Sequence, residues 1–173
     1  MIYKLKRFFK RIRNLYRWFP IIWKDQDWDD HYIWEILKFK LTNQANYIAN
    51  HDRHTRAQYD AKLMRLCVKL MDRIQSEYYR VEYMDYEKTE FLFKPSNHCN
   101  DCKELEIVTI EDNLDEYFKK YPLIYKHVMN DEKTLFNKNT KRGIALNISH
   151  MNHNRARKLL FNILENNIES WWD

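Results

Sequence analysis

Residues 144–173 read IALNISHMNHNRARKLLFNILENNIESWWD, and in them Ile148, Met151, Ala156, Leu159, Leu160, Ile163, Ile168 and Trp171 recur at helical spacing. The stretch predicts one long C-terminal helix over 144–173. The same period recurs upstream. Ile33, Leu37, Leu41, Ala45 and Ile48 form a stripe, and Leu63, Leu66, Cys67, Leu70, Ile74 and Tyr78 form another within a helix predicted from about Thr55 to about Val81. Residues 1–19 form a basic amphipathic helix, with Ile2, Leu5, Phe8, Phe9, Ile12, Leu15, Tyr16 and Phe19 on one face. Pro20 should end or kink it.

Between these helices the pattern changes. Glu90-Phe91-Leu92-Phe93 and Leu105-Glu106-Ile107-Val108-Thr109-Ile110 are rich in strand formers, so residues 84–112 are expected to hold a small β-hairpin or an ordered loop. Further on, Asp112 or Asn113 can cap a helix over Leu114–Tyr121, and Pro122 can open another through about Met129. Asn130–Arg142 reads as a loop or a short helix whose end Gly143 marks. The fold class expected is mainly α, an antiparallel helical bundle with that insertion.

Composition supports one domain spanning residues 1–173. The chain has 173 residues, 45% of them hydrophobic and 16% aromatic, enough for a core in spite of 32% charged residues. Gly143 is the one glycine, which excludes glycine-rich phosphate loops, dinucleotide fingerprints and most turn-rich barrels and sandwiches. Three cysteines make no disulfide framework and fit a reducing compartment, so a cytoplasmic location is expected. The apolar run Trp18–Trp23 is six residues long and contains Pro20, too short for a signal-peptide core or a membrane span.

The net charge of +5 is local in origin. Residues 1–19 carry seven cations, Lys4, Lys6, Arg7, Lys10, Arg11, Arg13 and Arg17, and no acid. Lys4, Arg7, Lys10, Arg11, Arg13 and Arg17 could contact nucleic-acid phosphates while neighbouring aromatics stack. The same helix could lie on an anionic membrane or bury its apolar face in the core.

Three further constellations offer chemistry. His98-Cys99-Asn100-Asp101-Cys102 has the spacing of half a zinc site, to be completed from His51 and His54 or from His150 and His153. No second CxxC exists, so no metal or other cofactor is expected, with zinc on Cys99, Cys102 and His98 as the alternative. The acidic run Asp25-Gln26-Asp27-Trp28-Asp29-Asp30 could hold a hard cation, but its carboxylates suit a helix N-terminus, and Trp28 suits a core anchor. Finally His150, His153, Asn154 and Arg157 share a polar helix face, with Arg155 and Lys158 nearby, and offer donors for phosphate or carboxylate. Trp171 and Trp172 should pack in the core, in a subunit interface or against a flat ligand, and aromatic surface of this kind predicts a homo-oligomer.

A resemblance adds context. Trp18-Phe19-Pro20-Ile21-Ile22-Trp23-Lys24-Asp25-Gln26-Asp27-Trp28-Asp29, Glu35–Leu41, Tyr117–Pro122, Arg155–Phe161 and Ile168–Asp173 resemble an uncharacterised family of small accessory proteins of large tailed bacteriophages. The resemblance spans most of the chain except about residues 84–112. It implies a non-virion protein acting in the cytoplasm of an infected bacterium. It further implies sequestration of a nucleotide-derived immune signal of the host, with no catalysis. The ligand residues expected for that role are His150, His153, Arg155, Arg157, Lys158, Trp171, Trp172 and Trp28. Nucleic-acid binding through the N-terminal helix is the alternative, and a host-protein or membrane-surface role the third.

Overall fold

The computed structural model describes residues 2–24, 28, 31–51, 54–95 and 102–172, the side chains of Ile2 and Trp172 excepted. It is mainly helical, with one two-stranded antiparallel sheet. The helices are α1 (Ile2–Ile22), α2 (His31–His51), α3 (Ala57–Gln75), α4 (Tyr78–Val81), α5 (Leu114–Lys120), α6 (Pro122–Asn130) and α7 (Lys141–Asn167). The strands are β1 (Glu87–Pro95) and β2 (Lys103–Asp112). The chain forms two compact units, residues 1–71 with 163–173, and residues 72–162.

In the first unit α2 and α3 run antiparallel. The Gln58 amide donates to the Ala49 carbonyl at 3.0 Å and Arg65 to Asn46 Oδ1 at 3.3 Å, so positions advance along one helix as they recede along the other. Leu41, Ala45 and Ile48 of α2 are buried, as are Ala57, Ala61, Met64, Cys67, Leu70 and Met71 of α3 and Ile163, Leu164 and Trp171 from residues 163–173. Burial pushes the Cys67 thiol up to about 11, which makes it an inert core residue at neutral pH. Two positions of the stripes expected for α2 and α3 face outward: Ile33 is 68% exposed and Leu66 is 39% exposed. The buried side of α3 is shifted round the helix toward Ala57, Asp60, Ala61 and Met64, because small residues admit close helix approach where leucine cannot.

Pro20 does not end α1. The helix continues to Ile22, and the Trp23 amide donates to the Phe19 carbonyl at 2.9 Å, so the ladder resumes after the one bond that proline cannot make. At the other end of the chain, α7 stops at Asn167 rather than running through residue 173. Asn166 and Asn167 are weak helix formers, and Ser170 leads a 3-10 turn over Ser170–Trp172 with its hydroxyl on the Asn167 carbonyl at 2.9 Å.

The helix expected over 55–81 breaks at Glu77, whose φ of 52° is left-handed, and α4 restarts at Tyr78. A non-glycine residue in this region costs about 1–2 kcal/mol, so no period of apolar residues announces the break. A 3-10 turn over Glu82–Tyr86 leads into β1, which pairs with β2 from Glu87↔Asp112 to Pro95↔Lys103 with a register shift between Lys88 and Thr89. The Leu114 amide is capped by Asp112 Oδ1 at 3.2 Å, and Pro122 opens α6. Tyr83, Leu114, Tyr117, Phe118, Ile124, Val128, Ile144, Ala145 and Ile148 form the core of this second unit.

Within that core edge lies Glu82, 3% exposed. Its carboxylate accepts from Lys120 Nζ at 2.6 Å, from the Tyr121 hydroxyl at 2.6 Å and from the Tyr78 hydroxyl at 3.1 Å. Burial alone would raise its pKa, but Lys120, Tyr121 and Tyr78 together outweigh burial and hold it below the ordinary 4.5.

Gly143 sits inside the first turn of α7 rather than after the loop. A Cβ there would lie 1.7 Å from the Asn137 carbonyl oxygen, an impossible approach, and 3.0 Å from Thr140 Oγ1. Gly143→Ala should therefore force the 137–140 turn off the helix and destabilise the second unit by about 1–3 kcal/mol. Thermal unfolding measures it. An unchanged melting temperature would show that this turn carries no packing.

Candidate functional site

The residues His150, His153 and Arg157 lie on one face of α7, as their spacing requires. Arg155 projects from a different side, and Lys158 lies between the two; both are exposed. His150 accepts a hydrogen bond at Nε2 from the Asn154 amide at 2.8 Å, which leaves Nδ1 as the proton-bearing nitrogen of the neutral ring. It can donate to an acceptor.

His150 borders two cavities. One of about 240 Å³ is lined by Arg80, Phe136, Leu146, Ser149 and His150. The other, about 170 Å³, is lined by Val128, Asp131, Lys133, Thr134, Leu135, Asn147, His150 and Met151. The first combines a guanidinium, an imidazole donor and a 40% exposed phenyl ring. Those are the parts that a phosphate and a base require. Its hydroxyl, Ser149 Oγ, donates to the Leu146 carbonyl at 2.9 Å and is not poised beside a base.

His153 stands apart from this lining because it is buried, 4% exposed, and its Nδ1 has no hydrogen-bond partner among the described residues. Burial lowers its pKa from 6.5, and the positive charges of Arg80 and Arg157 lower it further against a weaker opposing pull from Glu77. Burial is the main cause, with Arg80 and Arg157 near enough to add to it. Glu77 in turn accepts from Arg80 at 2.7 Å, in an exposed pair of small worth.

A larger opening of about 580 Å³ at the base of the hairpin is lined by Glu87, Ile107, Thr109, Asp112, Leu114, Thr140, Lys141 and Arg142. Its charges are already matched: Arg142 meets Glu87 at 3.5 Å, and Lys141 meets Asp112 at 3.5 Å and Asp115 at 2.7 Å. It has no surplus to offer an anion.

Compared with family models, with curated proteins and with solved structures, the chain matches none.

The remaining expected residues are scattered. Trp171 is 2% exposed and belongs to the first unit, its carbonyl accepting from the Gln44 amide at 2.8 Å, so neither face of its ring is open to stack on a ligand. Trp28, expected as a core anchor, is 83% exposed. Trp172 has no described side chain. Of the zinc residues, Cys102 is exposed, whereas His98 and Cys99 lie outside the described residues, as do Asp25, Asp27, Asp29 and Asp30 of the acidic run. Among the described residues no three His, Cys, Asp or Glu side chains gather. His51 stacks on Tyr47 with ring centroids 4.3 Å apart, and His54 bonds Asp60 at 2.9 Å. Of the cations of α1, Lys4, Arg7, Lys10, Arg11, Arg13 and Arg17 are all exposed, and Arg17 hydrogen-bonds Asn43.

Arg80 and Phe136 were missing from the residues expected. Arg80 was hidden at the end of an apparently continuous helix, and Phe136 in a polar loop with no periodicity. Neither gives a signal until the chain folds.

Proposed function

We propose that this is a non-catalytic binding protein that holds a small nucleotide-type anion at the cavity of Arg80, Phe136 and His150. In line with its resemblance to phage accessory proteins, it would sequester a nucleotide-derived immune signal of the infected host. The observation that supports this reading most is the cavity that brings the Arg80 guanidinium, the His150 imidazole and the Phe136 ring together. A volume of about 240 Å³ falls below the roughly 300–1,000 Å³ of pockets that enclose drug-sized ligands. One base or one phosphoribose fits, with the rest of the ligand in the open.

Titration calorimetry with a panel of mono-, di- and cyclic nucleotides tests the reading. Arg80→Ala should weaken binding by about 1.5–3 kcal/mol, roughly 10–150-fold in Kd, with the helical spectrum intact. Arg155→Ala, on the other side of α7, should leave it unchanged. Tight, salt-sensitive binding of a short duplex with no response to any nucleotide would overturn the proposal in favour of nucleic-acid recognition through α1.

A further inference from the structure

The amphipathic face of α1 is uncovered. Tyr3, Leu5, Phe8, Phe9, Ile12, Leu15, Tyr16, Phe19 and Ile22 are each between 47% and 81% exposed. Projected at 100° per residue, Leu5, Phe8, Phe9, Ile12, Leu15, Tyr16 and Phe19 fall within an arc of about 120° that contains no charge. All seven cations lie on the remaining arc, and the helix has no acid. α1 touches α2 through Trp18, whose ring meets Phe39 edge-on at 4.7 Å, and through Arg17, which bonds Asn43. Trp18 and Arg17 project from the side of α1 opposite the apolar arc, so the helix is fastened by its polar side and its greasy side is turned away from α2.

That arrangement differs from an ordinary amphipathic helix, which buries the apolar stripe and leaves its charges in water. Nucleic acid would engage the cations but leave about four turns of Phe, Leu and Ile in solvent. A second copy would cover the apolar face but bring the flanking cations of the two helices together with no acid on either to answer them. An anionic bilayer satisfies both sides at once. Apolar side chains enter the acyl boundary, the flanking Lys4, Arg11 and Arg13 reach the head groups, and the outer cations lie within the range of the surface potential. No helix among the described residues is long and apolar enough to cross a membrane, so α1 would lie along it. We infer that α1 is an interfacial docking helix for a negatively charged lipid surface, acting independently of the α4–α7 cavity.

Flotation of the full chain with vesicles tests this. Wild type should float with phosphatidylserine/phosphatidylcholine vesicles at least about a hundredfold more tightly than with phosphatidylcholine alone, and added salt should weaken it. Phe8→Glu with Ile12→Glu should abolish retention on both. Lys4→Gln, Lys10→Gln and Arg11→Gln together should cost about a hundredfold on anionic vesicles only. Circular dichroism and melting should be unchanged in both variants, since all five side chains are exposed. If the apolar variant loses helicity, the charge variant still decides. Equal affinity for both vesicle types overturns the inference. So does a wild-type dimer that the Phe8/Ile12 variant dissociates without any vesicle retention, and so does duplex binding that only the charge variant loses.

Discussion

Trp171→Ala is expected to lower the stability of the protein by about 3–5 kcal/mol, which for a chain of this size moves the melting temperature down by roughly 6–20 °C. Trp171 is 2% exposed, and in a close-packed interior its truncation leaves a cavity that neighbouring side chains fill only in part. Gln44 holds the backbone carbonyl of Trp171, not its ring, so that bond survives the substitution and the loss reports packing alone. Trp171→Phe keeps most of the buried area and should cost markedly less. The measurement is differential scanning calorimetry of both variants beside the wild type. A loss below about 1 kcal/mol in the alanine variant would return Trp171 to the candidates for ligand stacking.

Glu82→Ala should cost about 2–4 kcal/mol at pH 7, for a different reason. The carboxylate is the common acceptor of Lys120, Tyr121 and Tyr78, and its removal leaves two half-buried hydroxyl donors without that acceptor. Lys120, whose side chain is 44% exposed, can return to water, which keeps the cost below that of a fully enclosed pair. The pH dependence identifies the mechanism. Since the folded protein holds Glu82 below 4.5, the unfolded chain takes up the proton first as pH falls. The stabilisation is therefore complete above about pH 4.5 and is lost as pH drops through the folded value. Urea melts of wild type and Glu82→Gln should differ at pH 7, and the gap should narrow as the pH falls below 4.5. A gap that does not change with pH would mean that shape, not charge, is what Glu82 supplies.

Much of the backbone was legible. The periods of α2 and α3, the strand formers on either side of residues 96–101, Asp112 as a cap and Pro122 as a helix opener each state a local preference that the fold keeps. What periodicity cannot state is what lies against a face. The stripe of α1 is as regular as that of α3, yet one is exposed and the other buried, because burial depends on which segments meet. Ile33 continues the α2 pattern and still faces water for the same reason. Gly143 reads as punctuation in the sequence, whereas its cause is a carbonyl that arrives from Asn137. Of the cavity lining only His150 was legible. His150, His153 and Arg157 share a face by arithmetic, but Arg80 joins them only through the left-handed turn at Glu77, a conformation that no glycine or asparagine advertises.

The first unit is discontinuous along the chain, and this has a consequence for how it comes into being. Its two parts, residues 1–71 and 163–173, are separated by the whole of the second unit. At translation rates of about 5–20 residues per second, the intervening stretch takes roughly 5–20 s to emerge. For that interval Leu41, Ala45, Ile48, Met64 and Cys67 have been synthesised, but Trp171, Ile163 and Leu164 do not yet exist to close over them. The second unit is continuous in sequence and can condense while the ribosome is still at work. The earlier-made unit is thus the later to finish, and its unclosed helices are the natural client surface for chaperones during synthesis.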